Sequence, residues 1–158
     1  MADEPAPGGE AIEPGAAIVN LSFAGTGVFV SAVVATAIVP DTLGVAFIVV
    51  SCVLFALGVG TFLWAYAVGV SRSREELVTL PGLFFLVGSA PRTTAFRLRL
   101  ALVVQIVAAT AGASVRPFSD LAFGVLAPLF GLGLMSLWGA RYGAFEPRHA
   151  AMADRDES

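Results

Sequence analysis

The sequence predicts an all-α membrane protein with four transmembrane helices in two antiparallel hairpins. Three observations carry that expectation. The 158-residue chain is 57% hydrophobic and only 13% charged, with a mean hydropathy of +0.84, where a soluble domain has about 25% charged residues. Residues 16–40 and 42–71 form two runs without a single charge, each longer than the roughly 20 residues needed to cross a hydrocarbon core of about 30 Å. The basic residues are also lopsided. Four spans put Arg72, Arg74, Arg92, Arg97, Arg99, Arg141, Arg148 and Arg155 on one side and Arg116 on the other. The positive-inside rule makes the first side cytoplasmic, together with both termini.

Residues 1–16 are acidic, rich in Pro and Gly, and carry no basic residue. They lack the basic start of a cleaved signal peptide and have too little apolar surface to order themselves, so they read as a disordered cytoplasmic tail. The four-helix domain covers 17–140. Its first span is 17–39, ended by Pro40, which cannot continue a helix without losing a hydrogen bond. Asp41 suits the N-cap of the second span, 42–70, whose Trp64 and Tyr66 fit the headgroup interface. The third span is 96–115, with Arg97 and Arg99 in its first turn able to snorkel outward. RPFSD (116–120) forms the next turn, with Ser119 or Asp120 as cap and Arg116 placed to pair with Asp120. The fourth span, 121–140, ends in an aromatic and arginine belt, WGARYG, before a cytoplasmic tail at 141–158.

Between the second and third spans lies an interfacial segment, 74–91, whose stretch 77–90 is apolar and uncharged. As a helix rising about 1.5 Å per residue, that stretch falls about 9 Å short of a span. Arginines flank it on both sides, and a fifth span would divide them between the two membrane faces. Ser73 and Glu76 match the S-x-x-E capping box, which predicts a helix from about Arg74; Pro81-Gly82 then breaks it. LFFLV (83–87) is apolar on every side and unsuited to a helix lying half in water. The segment is expected to dip into the inner leaflet as a re-entrant piece or to pack under the bundle, with an amphipathic surface helix as second choice.

Few side chains offer chemistry. His149 is the only histidine and lies in a tail, so neither a histidine-based triad nor a histidine-rich metal site can form. Cys52 is alone, forms no intramolecular disulfide, and reads as an inert, buried packing residue. Glu75 and Glu76 are adjacent, point apart on a helix and read as caps. The Gly-x-Gly pairs at 25/27, 58/60 and 131/133 follow no strand and imply no nucleotide site. No ionisable group lies deep in a span, which argues against a proton-coupled pump. Small residues stripe the helices: Asn20, Ala24, Gly27, Ser31 and Ala35; Cys52, Ala56, Gly60 and Ala67; Ala101, Gln105, Ala108 and Gly112. Such stripes serve close helix packing. Gln105 and Asn20 are the candidate intramembrane polar contacts, because an unpaired amide in hydrocarbon is costly. Gly124, Pro128 and Gly131 are a candidate hinge, a static kink before a moving gate.

The remaining candidate surface is basic and apolar together: Arg92, Arg97 and Arg99 beside Phe84 and Phe85, suited to anionic lipid or a protein partner at the cytoplasmic face. The runs LPGLFFLVGSAPR and RPFSDLAFGVLAPLFGLGLMSLWGARYG resemble small uncharacterised four-helix membrane proteins of actinobacteria, over residues 75–145. That resemblance implies a bacterial plasma membrane and supplies no catalytic residues. The expectation is a non-enzymatic accessory or scaffolding subunit with no cofactor. Its partners would be membrane lipids, another membrane protein or a second copy of itself, and not nucleic acid, which calls for a basic stripe on a folded surface. A small oligomeric transporter or lipid-handling protein is the alternative.

Overall fold

The computed structural model describes residues 14–115 and 117–147. The tail at 1–13, Arg116 with its pairing to Asp120, and Arg148, His149 and Arg155 lie outside the described residues. The described chain is helical: α1 Ala16–Ile38, α2 Pro40–Arg72, a short α3 Leu80–Phe85, α4 Arg92–Val115, a 3₁₀ helix Asp120–Leu126, and α5 Pro128–Tyr142. Four stretches are long and apolar enough to cross a membrane: α1, α2, α4, and the 3₁₀ helix continued by α5.

Burial separates these spans into one centre and three walls. In the most apolar window, 56% of the 3₁₀–α5 residues are buried, against 33% in α1 and 28% in both α2 and α4. The last span is therefore the axis around which the others pack, most extensively against α2. The walls present Leu21, Val28, Val45, Val53, Leu57, Leu63, Val103 and Val107 outward, each more than half exposed. Apolar cover on that scale is unstable in water and is what a lipid solvent requires. The chain is an integral membrane protein.

Two ends of the bundle can be told apart by what meets there. At one, Gly44 of α2 lies against the Asp120 carboxylate, and Phe29 and Phe47 stack with ring centroids 6.1 Å apart. At the other, the start of α1 meets the end of α5: the Trp138 indole N–H donates to the Pro14 carbonyl at 3.3 Å. The end of α2, all of α3 and the start of α4 join them there. That end holds Arg72, Arg74, Arg92, Arg97, Arg99 and Arg141.

Close approach explains the glycines of α5. A Cβ at Gly133 would stand 2.5 Å from the Gly58 carbonyl oxygen of α2, and one at Gly58 would stand 2.6 Å from the backbone of Leu129 and Phe130. The two helices cross backbone to backbone, the packing that small residues permit in lipid. At Gly139 the intruder is the Leu83 carbonyl of α3, 2.5 Å from the same imagined atom. Gly60, by contrast, faces open space.

Several sequence expectations need correcting. Asp41 is not the N-cap of α2: the helix begins at Pro40, whose missing N–H costs nothing in a first turn, and Asp41 sits inside that turn. No helix follows the Ser73–Glu76 pair, and the next one begins at Leu80. Helix α2 runs to Arg72, and Glu76 instead pairs with the Arg72 guanidinium at 2.7 Å while its backbone bridges to Pro147. Pro81 does not break a helix but stands in the first turn of α3, behind Thr79, whose hydroxyl accepts from the Gly82 N–H at 3.2 Å. Cys52 is exposed on the outer surface rather than buried.

The small-residue stripes of α1 and α2 also face outward. Asn20, Ala24, Gly27 and Ser31 are exposed, as are Ala56, Gly60 and Ala67. The inner faces are Val19, Ser22, Thr26, Phe29, Val33 and Thr36 on α1, and Gly44, Phe47, Ser51, Leu54, Gly58, Ala65 and Gly69 on α2. Both faces of each helix carry small and apolar residues, so spacing alone does not choose between them. Trp138 belongs to the core, 3% exposed, rather than to an interfacial belt. The C-terminal tail is ordered at its start, since residues 143–147 pair with the connector between α2 and α4.

Candidate functional site at the arginine-rich end

The connector 73–91 packs against the end of α2 and against α5, and Arg72 is its anchor. The Arg72 Nη1 donates to the Ala140 carbonyl at 2.9 Å and Nη2 to the Gly143 carbonyl at 3.0 Å. The last carbonyls of a helix have no partner within it, and a basic side chain there satisfies them and complements the helix dipole. The same guanidinium lies 5.2 Å from the Phe145 ring centroid. One arginine thus ties the end of α2 to the end of α5 and to the strand-like segment that follows.

That segment is tied to the connector by backbone hydrogen bonds. The Leu77 N–H donates to the Glu146 carbonyl at 2.8 Å, and the Ala144 N–H donates to the Ser89 carbonyl at 2.9 Å. Ser89 Oγ, buried, donates to the Gly82 carbonyl at 2.6 Å and so closes α3 onto the returning chain. Helix α3 ends at Leu86, which adopts φ 57°, a left-handed conformation costing an L-residue about 1–2 kcal/mol. The side chain offsets that cost by packing, 1% exposed, into a core cluster with Val19, Leu98, Met135 and Trp138. Phe84 stacks on Phe62 of α2 with centroids 5.0 Å apart, while Phe85 is about half exposed.

The three arginines grouped in the sequence part company here. Arg97 turns toward α1, 5.9 Å from the Phe23 ring centroid. Arg99 turns the other way, its Nε and Nη2 both donating to the Phe85 carbonyl at 2.9 and 2.7 Å. Arg92 stands two turns before Arg99 on the same helix face, because seven residues make almost two full turns. Together with Leu86, Val87, Ala95 and Phe96 they line an open groove of about 640 Å³. No carboxylate is among the groove's lining residues. Arg97 is not part of it.

Inside the membrane, Gln105 is 1% exposed and hydrogen-bonded at both ends of its amide. Its Nε2 donates to Thr26 Oγ1 of α1 at 2.7 Å, and its Oε1 accepts from the Gly131 N–H of α5 at 3.2 Å. Thr26 in turn donates to the Ser22 carbonyl at 2.7 Å. The amide therefore links three helices where the last span changes from 3₁₀ to α geometry. Such bonds in membrane bundles contribute about 1 kcal/mol each. Asn20 is exposed on the opposite face of α1 and does not join this network. Of the candidate hinge, Gly124 packs against Phe47 and Phe29, Gly131 against Gln105, and Pro128 opens α5 just after the break at Ala127.

Sequence reasoning missed Arg72, Ser89, Thr26 and Thr79. The Thr79-x-Pro81 spacing is an available N-terminal signal for α3; the partners that Arg72 and Thr26 meet on other helices lie 68 to 79 residues away and leave no local trace, and Ser89 meets Gly82 only because the chain turns back after α3. Among the described residues no group of three His, Cys, Asp or Glu side chains is placed to hold a metal ion. Comparison of the chain with protein-family models, curated proteins and solved structures finds no match.

Proposed function

We propose that this chain is a non-enzymatic accessory protein of a bacterial plasma membrane, acting through its arginine-rich end on the cytoplasmic side. In this reading α1 with α2, and α4 with the last span, form two antiparallel hairpins. The connector is a plug at the level of the inner headgroups, and both termini are cytoplasmic. The asymmetry between the two ends carries the proposal. Among the described residues, one end has six arginines and an ordered surface built from α3, 73–91 and 143–147, and the other has the junction at Val39 and the turn at 117–119. Charge of that sign belongs on the inner face and is attracted to its anionic lipids.

No observation favours the transporter reading. Gln105, the one deep amide, spends both ends of its side chain inside the bundle, and the small-residue stripe of α1 faces outward rather than into a path. Purification from its membrane in mild detergent tests the accessory role. A discrete protein or anionic lipid is expected to stay with the wild-type chain and to be lost from a variant carrying R92A, R97A and R99A. Identical companions for both would contradict the proposal.

A further inference from the structure

We infer that the groove at Arg92 and Arg99, with the apolar groove beside it, is a site for one anionic phospholipid, its phosphate on the two arginines and an acyl chain along α4. The inference rests on the proposal that this end faces the cytoplasmic leaflet, and it adds a named ligand class and a seat.

One stripe of α4 changes character as it enters the membrane. Arg92, Arg99 and Ile106 succeed one another at seven-residue intervals and share a face, so the stripe is cationic for its first two turns and apolar for the next two. The apolar part lines a second groove, about 450 Å³, with Phe55, Phe85, Leu102, Leu126 and Leu132 among its walls and no charged residue in its lining. The two grooves share no lining residue but are neighbours through one contact: Phe85 lines the apolar groove, and its carbonyl is held by Arg99, which lines the cationic one. An amphiphile with a phosphate at one end and a hydrocarbon chain at the other has the same order of chemistry along the same line.

The charge is available. Arg99 uses Nε and one N–H of Nη2 on Phe85, and a guanidinium has five N–H donors in a planar fork suited to phosphate. Arg92 makes no hydrogen bond or ion pair among the described residues, and no carboxylate lines the groove to neutralise either arginine. The hold on Phe85 also fixes the Arg99 side chain in place before a ligand arrives, which reduces the ordering cost of binding.

Native mass spectrometry of the full chain, released from nanodiscs of phosphatidylglycerol or phosphatidylcholine, tests this. One phosphatidylglycerol is expected to remain bound, and phosphatidylcholine to be lost. R92Q with R99Q is expected to weaken retention about 30-fold, taking about fivefold per arginine near an anionic surface. I106W, which fills the apolar groove and leaves the arginines alone, should weaken it as well. Millimolar inorganic phosphate should not displace the lipid; displacement would mean a free-phosphate site instead. Equal retention of both lipids, or retention unchanged in R92Q with R99Q, would overturn the inference. Because binding in this assay does not depend on sidedness, lipid retained by a chain whose arginine-rich end labels from outside would sink the proposed orientation and leave the site standing.

Discussion

Gly133→Leu is expected to abolish the folded bundle, whereas Gly60→Leu leaves it intact. The two residues sit on helices with similar composition, and local propensity does not separate them. Their surroundings do. Any Cβ at 133 meets the Gly58 carbonyl oxygen and the Thr61 hydroxyl, and the former is backbone that can yield only if α2 and α5 move apart. Overpacking costs about 1–3 kcal/mol, and more where backbone meets backbone, and the last span cannot easily shift because more than half of it is buried against the other spans. At Gly60 nothing stands within 4 Å, so a side chain there enters lipid, and replacing a helical glycine gains up to about 1 kcal/mol. Thermal unfolding in detergent, followed by circular dichroism, checks the pair: a loss of the cooperative transition for G133L, and a Tm equal to or above wild type for G60L. A cooperative transition retained at the wild-type Tm in G133L would show that α2 and α5 do not cross where the structure places them.

Arg72→Met is the second large effect. Methionine keeps an aliphatic stem but removes both donors to the α5 terminus and the ion pair with Glu76. Hydrogen bonds from a charged donor are worth about 1.5–3 kcal/mol when buried; with Arg72 about a quarter exposed, solvent screening reduces the expected total to about 2 kcal/mol. The loss should be local before it is global. Amide exchange is expected to rise at Leu77 and Ala144, whose N–H groups hold the connector and the 143–147 segment together, while the amides of α1 keep their protection. E76Q should cost less than about 1 kcal/mol, as a partly exposed pair does. Arg141→Met, on an exposed residue of the same helix end, should leave exchange at both sites unchanged.

These effects show which parts of the molecule were readable in advance. The four spans were legible because lipid demands about 20 apolar residues and few other folds supply them. Their inner faces were not. In water the buried side of a helix announces itself by polarity on the other side; here both sides are apolar, so the evenly spaced Asn20, Ala24, Gly27 and Ser31 looked like a packing face and point outward. Gln105 stood out because an amide is costly in hydrocarbon, yet its partners, Thr26 and Gly131, could be found only once α1 and α5 were placed beside α4. Arg72 was visible as a charge and invisible as a cap, since the carbonyls it serves lie 68 and 71 residues further on. The connector was recognised as too short to span. Its internal order is harder to read, because a proline at 81 suggests a break and only Thr79, one position before the helix, makes it an opener.

The proposed role depends above all on which side of the membrane the arginine-rich end occupies. Substituted-cysteine labelling in intact bacterial cells measures this directly, in a C52A background so that the exposed native thiol does not report. E75C lies on the connector and P117C on the opposite turn, both at exposed positions. With a membrane-impermeant maleimide, P117C should label in intact cells and E75C only after permeabilisation. Labelling of E75C from outside would invert the protein and contradict the cytoplasmic site, and labelling of both from one side would contradict the four-span bundle itself.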